Sequence, residues 1–269
     1  MIRVENLDMV FAPGSPDEMM VLKHINLTVK RGDFITIIGS NGAGKTTLYN
    51  VIAGSLPPTS GRIFIIDEEK NTEREITREA EYRRARYIGR IFQNPLLGTA
   101  GKMTLADNMM LCHKKGYKGL RISLNNPMRE RFREQLRVLD MGLENRLADN
   151  VELFSGGQRQ ALTLLMTVMS RPDLLLLDEH TAALDPRNAE IIMGLTLRFA
   201  AEYHLTVMMI THNMVHALEF GNQLLMMDGG AIILDIDADE KAKLTPEGIV
   251  QRFRDIKNQD FANDKMLLS

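Results

Sequence analysis

The residues that most directly predict chemistry are 39 to 47, which read GSNGAGKTT and match the pattern G-x-x-x-x-G-K-[ST]. Glycines at this spacing let the backbone approach a ligand, so that its N–H groups point at anionic oxygens. Lys45 is then expected to reach the β- and γ-phosphates, and the Thr46 hydroxyl to ligate Mg²⁺. We therefore predict an ATP-phosphate site made of Gly39, Ser40, Asn41, Gly42, Ala43, Gly44, Lys45, Thr46 and Thr47.

Two acids follow a continuous apolar run near the middle of the chain. Residues 174 to 177 read LLLL, and Asp178 and Glu179 come next. Because the C-terminal ends of strands in an α/β sheet face the bound ligand, Asp178 is predicted to hold Mg²⁺ through water. Glu179 is predicted to orient and polarise the attacking water. A solvated turn is the alternative interpretation, and the complete loop at residues 39 to 47 argues against it.

A second group of glycines opens a predicted helix. Ser155, Gly156, Gly157 and Gln158 precede residues 159 to 169, which favour a helix. Ser155 is a good N-cap, and the glycines leave backbone N–H groups free at the helix start. A Ser-Gly-Gly cap alone is unremarkable, but its position upstream of the acidic strand predicts a second phosphate-binding element.

Two single residues complete the candidate chemistry. His212 follows the strand-like residues 206 to 211, where a neutral imidazole could hydrogen-bond a γ-phosphate and hold the water in place. Gln93, which follows Ile91 and Phe92, is a candidate ligand of Mg²⁺ or water. Taken alone, each is ordinarily a polar residue at a strand end.

The elements that must position these residues indicate an α/β fold. An apolar strand at 34–38 leads into the loop, and a helix at 47–53 follows and ends at Gly54. The other predicted elements are strands at 2–7, 21–29, 61–66, 87–92, 174–177 and 206–210, a charged loop with a short helix at 68–86, helical segments within 95–149, a helix at 188–203, a hairpin at 224–234 and a helix at 246–256. Within the helical block, one helix is predicted to begin near Thr104 and another at Pro127, the latter ending near Gly142.

Composition excludes several classes of protein. The chain has 269 residues, 44% of them hydrophobic and 25% charged, and a net charge of −2, so no overall basic field predicts a nucleic-acid partner. A basic stretch at 114–121 is either a local nucleic-acid patch or, in better agreement with its composition, a solvated loop. The single cysteine, Cys112, excludes an internal disulfide. No apolar run approaches the roughly 20 residues that span a bilayer, which predicts a cytoplasmic chain that meets a membrane only through a partner.

These motifs, in this order, resemble the ATP-binding subunit of ABC transporters over residues 1 to 237. The corresponding positions are Phe11 for the ring that stacks on adenine, GSNGAGKTT for Walker A, Gln93 for the Q-loop, LFSGGQ (153–158) for the signature, LLLLDE for Walker B, residues 183–185 for the D-loop and His212 for the switch histidine. The departures are Phe154, Ala182 and His180, where the family usually has Leu, Ser and Pro. The resemblance implies a P-loop NTPase core with a mixed or parallel sheet, an N-terminal antiparallel β subdomain and an inserted α-helical subdomain.

The resemblance also implies an active ATPase that uses ATP and Mg²⁺, with Thr46, Gln93 and Asp178 at the metal. In the family, two copies close head-to-tail around two nucleotides, and the signature of one chain caps the nucleotide of the other. Residues 1–237 would form the ATPase domain, with the helical subdomain at about 95–149, and residues 238–269 a C-terminal extension. Permease subunits would dock near the Q-loop, where Met103, Met109 and Met110 either pack in the core or form an adaptable interface.

The segments NPLLGTAGKMT and DEHTAALDP are similar to those of the ATPase of a bacterial importer group assigned to aromatic amino acids. That group implies a homodimer on the inner face of the cell membrane, permease partners and an extracytoplasmic substrate-binding protein. An exporter or lipoprotein-releasing ATPase would share the ATP chemistry, and a soluble ABC ATPase acting on ribosomes or DNA is a further alternative. The last is disfavoured because the chain has one cassette and no long coiled-coil insertion.

Overall fold

The chain forms two sheets and nine helices in the part that a computed structural model describes, namely the backbone of residues 2–67, 71–113 and 124–267 and the side chains of these ranges up to residue 256. Strands and helices are numbered below in chain order. The basic stretch at 114–121 lies outside the described residues.

The N-terminal sheet is antiparallel and has the strand order β2-β1-β4-β5. Its strands are β1 (Ile2–Phe11), β2 (Met19–Val29), β4 (Ser60–Asp67) and β5 (Thr72–Glu75). Buried and more exposed residues broadly alternate along β1 and β2, as expected for a sheet with one face on the core. The prediction of a solvated loop at 68–86 was wrong for β5, because this charged edge strand, TERE, is exposed throughout and carries no apolar alternation.

The central sheet has the order β10-β9-β3-β8-β7-β6. Its strands are β3 (Phe34–Gly39), β6 (Ile88–Ile91), β7 (Leu174–Asp178), β8 (Thr206–Ile210), β9 (Gln223–Asp228) and β10 (Ala231–Ile236). The pairs from β6 to β9 are parallel, and only the β9–β10 hairpin is antiparallel. Every residue of β7 and β8 is buried, which explains their continuous apolar sequences.

Helices pack on both faces of this sheet. Three of the described helices also lie in the segment of the chain between β6 and β7. The helices of the described residues are α1 (Lys45–Ala53), α2 (Glu81–Arg84), α3 (Leu105–His113), α4 (Asn126–Arg137), α5 (Gly156–Met169), α6 (Pro186–Glu202), α7 (Met214–Glu219), α8 (Ala238–Lys241) and α9 (Pro246–Leu267). Helix α4 ends at Arg137, earlier than predicted, because the chain turns into a left-handed conformation at Asp140 (φ 52°), and Gly142 (φ 69°) instead precedes a 3₁₀ turn. Helix α9 runs 11 residues beyond the predicted end at 256.

The inserted helices have a core of their own that is continuous with the central sheet. Met109 and Met110 pack there with Phe132 and Leu136, whereas Met103 is 37% exposed. The core interpretation therefore holds for two of the three methionines. Together with the two sheets, this insertion gives the predicted α/β architecture.

Within the described residues, no helix is both long enough and apolar enough to cross a lipid bilayer.

Candidate nucleotide site

The loop between β3 and α1 requires glycine at two positions. Gly39 has φ 151°, and a Cβ there would lie 2.1 Å from the carbonyl oxygen of Met227. Gly44 has φ 95°, and its Cβ would lie 2.8 Å from the carbonyl oxygen of Val21. Gly44 is also the N-cap of α1 and supplies no side chain to bond the first N–H groups of the helix. Those donors and the positive end of the helix dipole are therefore available to an anion.

Lys45 lies across this loop. Its Nζ donates hydrogen bonds to the carbonyl oxygens of Gly39 at 2.8 Å and Ser40 at 2.9 Å, and the residue is 6% exposed. Burial lowers the pKa of Lys45, and the nearby carboxylates of Glu179 and Asp178 partly offset this effect. The lysine thus provides a positive charge at the loop, close enough to interact with the two acids at the C-terminal end of β7.

Asp178 joins the loop to the central sheet. Its Oδ1 accepts a hydrogen bond from Thr46 Oγ1 at 3.3 Å, and its Oδ2 lies 3.3 Å from Nη2 of Arg90. Arg90 Nη1 also donates to Asn50 Oδ1 at 2.6 Å, which links the acid to α1. A hydroxyl and a carboxylate oxygen at this separation are the hard donors that Mg²⁺ takes when phosphates and waters supply its other ligands.

Arg90 is not among the site residues predicted from the sequence. A charged residue inside the short apolar strand Ile88–Ile91 was the available signal, since such a residue is almost never buried without a partner. Its side chain is 10% exposed, and the partner is Asp178. Asp228 was not predicted either, and its Oδ1 accepts a hydrogen bond from Ser40 Oγ at 3.0 Å.

Glu179 is held between two side chains that the sequence singled out. His212 Nε2 lies 2.6 Å from Glu179 Oε1, and Gln93 Nε2 donates to Oε2 at 3.4 Å. Glu179 has φ 47°, a strained conformation for a residue that is not glycine. Strained residues of this kind concentrate at functional sites, so the geometry is consistent with the role predicted for Glu179.

His180 stands where the family usually has proline, and it is a buried packing residue. Its Nε2 lies 3.0 Å from Thr196 Oγ1, whose own hydrogen is donated to the carbonyl of Ile192 at 2.8 Å. Because the hydroxyl has one hydrogen, His180 must be the donor through Nε2–H. Burial is the main cause that lowers the pKa of His180, to about 4, so the ring is neutral at physiological pH.

Ser155 caps α5 as predicted. Its Oγ accepts from the backbone N–H of Gln158, and Gln158 Oε1 accepts from the backbone N–H of Ser155, both at 3.2 Å. A Cβ on Gly157 would lie 2.7 Å from Asn188 Oδ1, so this glycine permits close packing against α6. Ser155 and Gly156 are exposed. Among the hydrogen bonds of the described residues, none joins this helix terminus to residues 39–47.

Phe11 lies at the end of β1, opposite Met19 of β2, and is 36% exposed. An aromatic ring left partly in solvent at a sheet end is available to stack on a planar ligand.

Comparison with known proteins identifies this arrangement. A family model described as ABC transporter matches residues 22–182. The chain is also 38% identical over 258 residues to the tyrosine transport ATP-binding protein of Clostridioides difficile strain R20291, covering 94% of this chain and 98% of that one. The chain belongs to the ABC transporter family. It is an ATPase subunit of that family, with the cassette fold that the motifs predicted.

Two further comparisons extend this result. The chain is 33% identical to the macrolide export ATP-binding/permease protein MacB of Vibrio parahaemolyticus serotype O3:K6, covering 94% of this chain and 37% of that protein. Its fold matches the dimeric, post-hydrolysis structure of the ATP-binding cassette MJ0796 bound to ADP and phosphate, with a TM-score of 0.70 and 25% identity, covering 88% of this chain and 99% of the other. The ABC ATPase fold therefore extends over most of the chain.

Proposed function

We propose that residues 39–47 bind the phosphates of ATP, with Phe11 against the adenine. The α1 terminus and its N–H groups provide the anion site, and Lys45 exchanges its two carbonyl partners for the β- and γ-phosphate oxygens. Thr46 and Asp178, already 3.3 Å apart, are the proposed Mg²⁺ ligands together with Gln93. When bound, Mg²⁺ neutralises charge on the β- and γ-phosphates.

The proposed hydrolytic group is Glu179, assisted by His212. A carboxylate at the end of β7 can accept a proton from a water aligned with the γ-phosphorus. His212 contacts one oxygen of Glu179 and Gln93 the other, so both hold the carboxylate in one orientation. The observation that carries this assignment is the three-residue contact of Gln93, Glu179 and His212.

The second phosphate-binding element completes the site of another copy in this proposal. Ser155 and Gly156 are exposed at the N-terminus of α5, and their own loop 39–47 makes no hydrogen bond to them among the described residues. A head-to-tail homodimer would bring the residues 155–158 of one chain to the nucleotide of the other. The MJ0796 cassette is dimeric, which supports the dimer in this proposal.

The cellular role that we propose is import of an aromatic amino acid across the bacterial cytoplasmic membrane. The similarity to a tyrosine transport ATP-binding protein over 94% of the chain carries this proposal. The chain would lie at the inner face of the membrane, attached to permease subunits and acting with an extracytoplasmic binding protein. Residues 1–237 would be the ATPase domain, with the helical subdomain at 95–149, and residues 238–269 the C-terminal extension.

Co-purification with the permease subunits tests this role. In reconstituted vesicles with the binding protein outside, tyrosine or tryptophan should stimulate ATP hydrolysis and accumulate inside. Leucine serves as the matched apolar control. Export is the second candidate, because MacB is also a relative. Solute leaving the ATP-containing side, or stimulation by a macrolide and by neither aromatic amino acid, would contradict import.

A further inference from the structure

Gln160 joins three parts of the cassette through one buried amide. The residue lies in the first half of α5 and is 0% exposed. Its Nε2 donates to the carbonyl of His180 at 2.7 Å and to the carbonyl of Phe92 at 3.2 Å. Because both partners are carbonyl oxygens, only the NH₂ group of the amide can serve them, which fixes its orientation.

The two carbonyls belong to the neighbours of the proposed hydrolytic residues. Phe92 follows β6 and precedes Gln93, and His180 follows Glu179 after β7. The strands β6 and β7 are adjacent and parallel, with Ile91 beside Leu177. Gln160 therefore bridges two residues that follow these strands, one next to Gln93 and the other next to Glu179.

Simple filling of the core does not account for this amide. Gln160 Oε1 is buried and accepts no hydrogen bond from the described residues, and an unsatisfied buried acceptor costs stability. Leucine would fill a similar volume without that cost. The two hydrogen bonds from Nε2 are the feature that only a donor at this position supplies.

We propose that Gln160 is a positioning residue for hydrolysis. It holds the backbone at Phe92 and His180 so that Gln93 and Glu179 stay in contact, and it ties both to α5, the helix that Ser155 caps. This inference rests on the proposed function, in which Ser155 serves the nucleotide of a second copy. A shift of α5 when that nucleotide binds would then move the chain's own Glu179, which couples the two ATP sites.

The test compares two substitutions that remove the donor with a matched control on the same helix. Gln160→Leu has no donor. Gln160→Glu has none when ionised, but its protonated acid can donate one hydrogen bond, and burial favours that form. Thr163→Val is the control, because Thr163 is 4% exposed and its hydroxyl donates to the carbonyl of Arg159 within α5. ATP affinity and kcat per folded chain are measured between pH 6 and 8.5.

We expect kcat of Gln160→Leu to fall about 10- to 100-fold, the scale of a small misplacement of reacting groups, with ATP affinity unchanged. The ratio of the Gln160→Glu kcat to that of the wild type should rise as the pH falls, while the ratio for Gln160→Leu stays flat. If Gln160→Leu does not fold, this pH-dependent recovery carries the test alone.

Three results would overturn the inference: wild-type kcat in both variants, an equal loss in Thr163→Val, or a Gln160→Glu ratio that is independent of pH. Failure of the proposed function is a separate result, since wild-type protein would then not hydrolyse ATP or Glu179→Gln would be fully active.

Discussion

The Nε2 of His212 lies 2.6 Å from Oε1 of Glu179, and this contact follows from the sheet. The strands β7 and β8 are adjacent and parallel, and Asp178 pairs with Ile210. Glu179 comes one residue after Asp178, and His212 comes two residues after Ile210. Both side chains therefore lie at the same edge of the sheet. Neighbouring parallel strands thus bring together residues that lie 33 positions apart in the sequence.

Glu179→Gln should retain ATP binding and lower kcat about 10²- to 10⁴-fold, the range for a lost general base. The amide keeps the size of the side chain but cannot accept a proton from water. The variant should therefore also accumulate as an ATP-bound dimer, detectable by light scattering. Glu152→Gln, at an exposed acid near the signature, is the control, and ordinary turnover in Glu179→Gln would remove this residue from its proposed role.

Lys45→Ala should weaken ATP binding by roughly 1.5–3 kcal/mol, the scale of hydrogen bonds to a charged group. The substitution removes the only positive side chain that contacts the loop at Gly39 and Ser40 among the described residues. Equilibrium titration with a fluorescent ATP analogue measures the change, with the exposed Lys30→Ala as control. Equal affinity in the two variants would count against the phosphate site.

The sequence predicted the elements with strong apolar patterns, and the structure brings the singled-out Gln93, Glu179 and His212 together. The strands β3, β7 and β8 follow their apolar runs closely, and α1 ends at Gly54 in the expected left-handed conformation. The edge strand β5 escaped prediction because it pairs through its backbone and buries no side chain.

The contacts that hold the site together could not be predicted in the same way. Arg90 reaches Asp178, which is 88 residues away, and Gln160 reaches a carbonyl 68 residues away. A long polar side chain bonded to a distant backbone group leaves no period or motif in the sequence. Only the packing of β6, β7 and α5 shows which carbonyls lie within reach.

Arg84→Met should lower the free energy of unfolding by roughly 3 kcal/mol, because it leaves several buried carbonyls without a donor. Arg84 is 1% exposed and bonds the carbonyls of Val51 and Ile52 in the last turn of α1, as well as those of Thr77 and Glu79. Urea denaturation compares it with Arg83→Met, the exposed neighbour on the same helix. Equal denaturation midpoints for the two variants would contradict the proposed stabilisation of α1 by Arg84.

Lys241 should make the free energy of unfolding vary with pH in the alkaline range. It is 3% exposed, its Nζ bonds the carbonyls of Phe220 and Gly221 after α7, and burial lowers its pKa to about 8. The unfolded chain, with the ordinary higher pKa, binds more protons between pH 8 and 10, so the contribution of Lys241 to stability rises with pH in that window. The difference in Tm between wild type and Lys241→Met should therefore shift in favour of wild type from pH 8 to pH 10.

The exposed Lys243→Met is the matched control for that measurement. Its Tm should follow that of the wild type at both pH values. A pH-independent difference for Lys241→Met would show that Lys241 does not titrate in this window.

The claim that ATP is hydrolysed at the interface between two copies is tested most directly by mixing two inactive variants. Ser155→Arg blocks the signature but keeps Glu179, and Glu179→Gln keeps the signature. If the sites are shared, a mixed dimer has one intact site, so combining the two proteins before ATP is added should restore activity well above their sum. Activity equal to the sum of the separate variants, with mixed dimers demonstrably formed, would contradict the account.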